Sequence, residues 1–539
     1  MGQNFRLTAK MKYSILKTFI YSVVLFSIFL GSCAEKKGNT ETNEDRAKNL
    51  YIGWASADVT PDQPVDLRGQ FPARISEGVL DPIMVTTLAM ESVSDTSSEK
   101  GILISCDLNS INPELLTVVR EKLKESLPEI RPDQIILNAT HTHTAPYCSS
   151  ENSLKNRYGV ELMAMAPSAY QEFISTRIIK TIESAWKSRK PGGISFGLGH
   201  AVIGHNRLSV DNSGKSVMYR NTTSLDFSHL EGTDDHSVNL IYTWDRKNNL
   251  TGVVINVACP SQVSELEYLI SADFWHDTRI EVSKQLGKGV FILPQCSAAG
   301  DQSPHIMVGA KAEERMQRLI GFDSTMTGRG SMGRRKQIAL NLTGAVMSVL
   351  PYMRDNINWD PVFIHRTEIV NLSRRLISIG DVNSALEEAK VWQKKYEQML
   401  LEIKDSSGFT EKPRWYSDIT GTYRSLTRSQ SVKERFELEK VQPKMPVELH
   451  VLRLGEMVMT TNPFELYLDY GNRIKGRSPA IQTFLIQLAN GSDGYLPPSR
   501  SIAGGSYGAV PASTLIGPEG GQELVEKTLE LVTSIWQTN

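Results

Sequence analysis

The chain has 539 residues, with 59 Lys and Arg against 60 Asp and Glu, a formal net charge of -1. That balance excludes any general attraction to nucleic acid or anionic lipid. At 40% hydrophobic and 22% charged residues, the composition excludes a disordered chain and provides a substantial core for one large domain or two to three ordinary ones. No internal repeat is visible.

At the amino terminus, Lys10, Lys12 and Lys17 precede an apolar run from Phe19 to Leu30 that closes in Gly31-Ser32-Cys33. A basic flank, a short apolar core and a small-residue end predict an export signal. The L-G-S-C ending resembles the lipobox of bacterial lipoproteins, which implies cleavage before Cys33, lipidation of its thiol and a membrane anchor at the periplasmic face or cell surface. Polar residues over 34–49 predict a flexible tether, with the fold starting at residue 50. Export places Cys106, Cys148, Cys259 and Cys296 where disulfides are permitted. Spacing leaves their pairing open, with buried thiols or a metal ligand as alternatives.

From Tyr51 the chain predicts a short strand, then a proline-rich loop. Gly101–Cys106 predicts a central strand, Asn112-Pro113-Glu114 opens a helix to about Leu127, and Gln134–Leu137 predicts a second strand, together a βαβ unit. At that strand's end stand His141 and His143. Alternate side chains of a strand share a face, so an H-x-H pair there turns both rings one way, as a metal site requires. Ser168–Arg189 predicts an amphipathic helix with Ser168 as a possible N-cap, and Arg207 follows a strand at Gly193–Leu198 in a loop with His205 and Asn206.

Strand-like runs then end repeatedly in polar residues: Gly252–Ala258 at Cys259, Gly289–Pro294 before Asp301, Ser303 and His305, Met457–Pro463 before Glu465, and Phe484–Ala489 before Tyr495. Asp273 is expected to begin a helix to about Leu286, and Arg334–Leu350 to form another. Pro361–Leu372 reads as a strand and Ser384–Ile403 as a charged surface helix. Lys404–Lys433 reads as a polar excursion or lid, and a last helix runs from about Gly521 to Trp536. The fold class is α/β, with mixed β-sheets flanked by helices and the active site at the strand ends, where ligands of α/β proteins collect.

His141, Cys259, Glu465 and Tyr495 make an N/S/O set that suits a first-row metal, Zn2+ among them. His143, Arg207, Ser303 and Tyr507 offer proton transfer, oxyanion donors or a nucleophile. Spacing alone does not single out these residues. ATHTHTAP resembles the ATHTHSGP element of the neutral (non-lysosomal) ceramidase family, GDQSPH is similar to its GDVSPN, and GWASADVTP resembles its G-x-G-x-A-D-I-T-P opening. The resemblance implies zinc ligands at His141, Glu465 and Tyr495, with His143, Arg207, Ser303 and Tyr507 about the reacting amide. Where the family carries a second zinc histidine, this chain has Cys259, and the family's C-terminal β-sandwich has no counterpart after the last helix.

Three readings follow. The first is a zinc-dependent amide hydrolase of ceramidase type, acting on an N-acyl sphingoid or other N-acylated small molecule or lipid. The second is a lipid-anchored binding or accessory protein with a disabled metal site. The third is a metal-dependent amidohydrolase barrel completed by His205, His276 or His305.

Overall fold

Near-continuous apolar runs, the pattern of strands covered on both faces, form the middle of the fold in this computed structural model. It describes residues 50–94, 98–319, 321, 332–406 and 408–537. The export signal, the lipobox Cys33 and the tether over 34–49 therefore lie outside the described residues. Among those described, no helix is long and apolar enough to cross a membrane.

The larger sheet has eight strands: β1 (Leu50–Asp58), β2 (Met84–Val93), β3 (Ser98–Cys106), β4 (Ile135–Ala139), β5 (Lys190–His200), β6 (Ser237–Asp245), β7 (Leu250–Val257) and β8 (Phe291–Cys296). Their spatial order is β8-β7-β6-β5-β1-β2-β3-β4, with β3–β4 and β7–β8 parallel and the other neighbours antiparallel. A second sheet carries β9 (Phe363–Ser373), β10 (Lys444–Leu454), β11 (Met457–Thr461) and β12 (Gln482–Ile486) in that order, with only β11–β12 parallel. Both sheets are open and mixed, so the barrel reading is overturned: closure would need parallel strands in a ring.

One face of the large sheet is covered by helices α1 (Pro113–Ser126), α2 (Pro167–Ser188), α3 (Phe274–Leu286) and α4 (Met332–Arg354). Its other face meets the small sheet through Leu103, Ile136, Val254 and Leu293 against Leu452, Met459, Phe484 and Ile486. The outer face of the small sheet lies under α7 (Leu468–Arg477) and α8 (Pro518–Gln537). The result is four layers, helix, sheet, sheet, helix, with the edge strand β9 left partly exposed at Arg366, Glu368 and Ile369.

Local chemistry sets most boundaries. Asp273 caps α3 as expected, its carboxylate accepting from Phe274 N at 2.8 Å. For α2 the expected Ser168 cap is replaced by Pro167 at the first turn, a position where proline's missing N–H costs nothing. The largest departure lies in the stretch read as a surface helix and polar excursion. It is a helical hairpin of α5 (Ile379–Asp405) and α6 (Ser417–Val441), closed by Ala389 and Tyr396 against Ile419 and Leu426. Its apolar residues are few because each helix buries one narrow stripe, and the rest of the surface stays polar.

Two strand ends of different sheets are spliced together. Asn490 N donates to Leu137 O at 2.9 Å, and Asn490 Oδ1 accepts from Leu137 N at 2.8 Å. Asn138 and Ala489 also form an isolated antiparallel bridge. The segment leaving β4 and the segment leaving β12 are therefore held side by side.

Between the sheets, His365 contacts Lys100 O at 3.2 Å through Nδ1 and His450 Nδ1 at 2.9 Å through Nε2. Burial, reinforced by the neighbouring His450, pushes the His365 pKa down to about 3. A depressed histidine contributes stability above its unfolded value of about 6.5 and loses it as pH falls through the folded one. Unfolding titrations should thus show stability dropping by on the order of 3 kcal/mol between pH 6.5 and pH 4 from this group. His365→Gln should flatten that slope; an unchanged slope would remove His365 from the account.

Candidate active site

His141 does not lie in the strand. β4 ends at Ala139, and His141 follows with φ +61°, a left-handed conformation that a side chain adopts only under constraint. The two imidazoles still converge, their Nε2 atoms 3.4 Å apart and ring planes 89° to one another. They do so through the turn, not through the alternation of strand side chains.

His141 Nδ1 lies 2.6 Å from Asn109 O. A carbonyl only accepts, so Nδ1 carries a proton and Nε2 is left to meet a second proton or a cation. Nε2 faces Glu465 Oε2 at 3.4 Å. Glu465 enters from the exit of β11, in a two-residue strand that pairs in parallel with Tyr495, which arrives from the exit of β12. Gly300 packs against this turn so closely that a Cβ there would lie 2.3 Å from Glu465 O. Burial opposes the charge on Glu465, but His141, Arg207 and a hydrogen bond from Tyr495 together hold its carboxyl below the usual range. The Tyr495 phenol stays protonated, raised by burial and by Glu465.

Arg207 is buried, and both terminal nitrogens of its guanidinium are engaged. Nη2 donates to Gly300 O at 2.8 Å and to Tyr495 Oη at 3.3 Å, while Nη1 donates to Tyr219 Oη at 3.1 Å and Gln262 Oε1 at 3.3 Å. With its oxygen occupied by Arg207, Gln262 turns its amide nitrogen to His143 Nε2 at 2.8 Å. His143 Nε2 therefore accepts, and its protonated Nδ1 faces Glu265 Oε2 at 3.7 Å. Burial, with His141 next, drives the His143 pKa well below that of free imidazole, so the ring is neutral. Gly69, at φ +122°, lies so near that a Cβ would meet the His143 ring at 2.5 Å.

Other expected residues sit differently. Ser303 is buried beside the centre, but its hydroxyl is engaged by Tyr219 Oη at 3.3 Å and the amide of His305 at 3.1 Å. Among the described residues no histidine or carboxylate side chain hydrogen-bonds to it. Tyr507 is 42% exposed, its ring edge-on to Tyr495 with centroids 5.9 Å apart. Cys259 is a correction: its Sγ lies in an apolar cluster, 3.6 Å from the carbonyls of Ile203 and Pro260, and burial raises its pKa far above that of a free thiol. All four described cysteines are buried free thiols. Of the histidines invoked for a barrel, His276 lies on α3, His205 faces Asp234, and His305 bonds Glu265.

Sequence reasoning missed Asn109, Tyr219, Gln262 and Glu265, which orient His141, Arg207 and His143. It also missed the arginines of α6. A cavity of about 440 Å3 is lined by His141, Glu465, Tyr495 and Tyr507 on one side and by Arg424, Arg428 and Arg435 on the other. A second, of about 370 Å3, reaches His143 and Arg207.

Among the described residues no three His, Cys, Asp or Glu side chains form a metal cluster. The donor set that does converge counts a phenol: His141 Nε2, Glu465 and Tyr495 Oη. Atoms held about 2.0–2.1 Å from a tetrahedral zinc sit about 3.4 Å apart, which matches the His141–Glu465 separation of 3.4 Å. The Asn109 carbonyl on His141 Nδ1 is the outer contact expected of a ligating imidazole. The residues fit zinc with three protein ligands and an open position, Arg207 adding a fixed positive charge nearby.

Comparison with known structures places this architecture. The chain has the fold of neutral ceramidases. It superposes on the neutral ceramidase from Pseudomonas aeruginosa with a TM-score of 0.62 at 15% identity, covering 90% of this chain and 74% of that one. On a ceramidase complexed with C2 the TM-score is 0.63 at 14% identity, covering 91% and 75%. No protein-family model and no curated protein matches the sequence.

Elemental analysis of protein purified without chelator should find close to one zinc, lost in His141→Ala and Glu465→Ala and retained in Cys259→Ser. Loss in Cys259→Ser would restore the thiol to the ligand set.

Proposed function

We propose that this protein hydrolyses the amide bond of an N-acylated substrate at the His141–Glu465–Tyr495 centre. The observation that carries the reading is the convergence of His141 Nε2, its Nδ1 held by Asn109 O, on the Glu465 carboxylate at 3.4 Å, the separation of two ligands on one tetrahedral zinc. Positive charge belongs between the two, carried by a proton on Nε2 or by a metal cation in its place. Zinc bound there would supply Lewis acidity to a carbonyl oxygen and lower the pKa of a water. Fold likeness supports the class of reaction only as analogy. N-acyl sphingoids belong to the substrates worth testing because the superposed structures are ceramidases.

The chain's own side chains take the remaining tasks. His143, neutral and aligned by Gln262 and Glu265, is suited to accept a proton from attacking water and deliver it to the departing amine. Arg207 holds Tyr495 and Gln262 in place and keeps a positive charge beside developing oxyanion charge. Ser303 acts through Tyr219, whose hydroxyl it fixes. Tyr507 borders the entrance as a half-exposed wall.

The competing reading, an anchored accessory protein, draws on the thiol of Cys259, which lies off the centre. Three protein ligands suffice for catalytic zinc, so the hydrolase reading is preferred. The proposal includes export and anchoring through a lipidated Cys33.

Amine release from a panel of N-acyl compounds tests the reading. His143→Ala should lower kcat by about 10²–10⁴-fold, while Cys259→Ser stays within a few-fold of wild type. No amine release from any member of the panel by zinc-loaded protein would favour the accessory role.

A further inference from the structure

The cavity above the centre has a wall that amide hydrolysis alone does not explain. On α6, Arg424, Arg428 and Arg435 stand at i, i+4 and i+11, one helix face, with Thr427 and Ser431 between them, and Arg68 joins from the opposite loop. Their hydrogen bonds go to neutral groups. Arg68 Nε donates to Asn109 Oδ1 at 3.1 Å, Arg428 to Ser513 Oγ, and Arg435 Nη1 to Pro511 O at 2.8 Å. Arg424 Nε is buried without a hydrogen-bond partner. Among the described residues none of the four forms an ion pair.

The carboxylates at the same cavity do not balance this charge. Glu465 is engaged by His141, Arg207 and Tyr495, and Asp493 is the other acid in the lining, against four guanidinium groups. Like charges at i and i+4 weaken the helix that carries them, and crowded, partly buried guanidinium groups repel. An anion bound among them offsets both costs, and guanidinium forks match carboxylate, sulfonate and phosphate oxygens. Arg428 also lies over the Tyr507 ring at 4.8 Å, and Tyr507 leads edge-on to Tyr495. The cationic wall is therefore about two aromatic rings from the zinc-ligand candidates. Apolar lining is limited to a few residues, chiefly Phe71, Leu488 and Leu515, which suits a charged group better than an alkyl chain.

Resting on the hydrolase reading, we propose that the substrate carries a fixed anionic group close to its amide, seated against Arg424, Arg428, Arg435 and Arg68.

Calorimetric titration of the zinc-loaded protein with N-lauroyltaurine, N-lauroylglycine and neutral N-lauroylethanolamine tests this, with amine release followed in parallel. The anionic compounds should bind at least about tenfold more tightly than the neutral one. Arg424→Gln/Arg428→Gln should erase that preference, and Arg428→Lys, which keeps the charge and serves as the folding control, should retain most of it. A margin for the sulfonate over the carboxylate identifies a tetrahedral anion as the match, and equal binding of the two identifies any compact anion. Anion-selective binding without amine release keeps the arginine site and overturns the hydrolase. Amine release with no preference for the anionic compounds, or a preference that survives the double variant, overturns the arginine site.

Discussion

The arrangement depends on the splice between β4 and β12. Asn490 bonds Leu137 through both its backbone and its side chain, with 2.9 and 2.8 Å contacts. The two bonds fix the register of a segment from the large sheet against one from the small sheet. Four residues beyond Leu137 comes His141, and five beyond Asn490 comes Tyr495. Sheets packed face to face leave many relative positions open; hydrogen bonds between their outgoing loops select one. The centre is thus built across the two layers, and β11 contributes Glu465 only because it pairs in parallel with β12.

Electrostatics then decides what that geometry can hold. Arg207 is buried and the Glu465 side chain only 17% exposed, and an isolated charge taken fully out of water costs several kcal/mol or more. Each is stabilised by the other and by neutral donors and acceptors: Tyr495 lies between them, and Gly300 O, Tyr219 and Gln262 accept from the two terminal guanidinium nitrogens. The same Gln262 fixes the His143 tautomer. Substituting any one of these groups leaves another buried and unsatisfied, so the centre behaves as one network.

Much of the architecture was legible in the sequence because its strands are short, apolar and bounded by turn residues. The βαβ unit from Gly101 to Leu137 and the α3 start at Asp273 followed directly from pattern and capping chemistry. The site was legible only where a motif resemblance pointed to it. Thr-His-Thr at a strand end was readable, but its convergence came from the positive φ of His141, which no periodicity announces. Cys259 shows the opposite failure: right position in sequence, wrong direction in space, because its side chain completes an apolar cluster. Asn109, Gln262 and Glu265 are polar loop residues like dozens of others until the fold brings them together. The α6 arginines were hidden in a stretch whose polarity resembled a loop, since a helix pressed on a neighbour by a narrow stripe reads as mostly hydrophilic.

The central claim, a cation held where the spliced exits of β4 and β12 meet the exit of β11, is tested most directly by anomalous diffraction at the zinc edge from crystals of the zinc-loaded protein. The account predicts a single strong peak within about 2.0–2.2 Å of His141 Nε2 and a Glu465 oxygen, with Tyr495 Oη completing the protein ligands. A peak bonded to the Cys259 thiol, or full occupancy elsewhere with none beside His141, would contradict it.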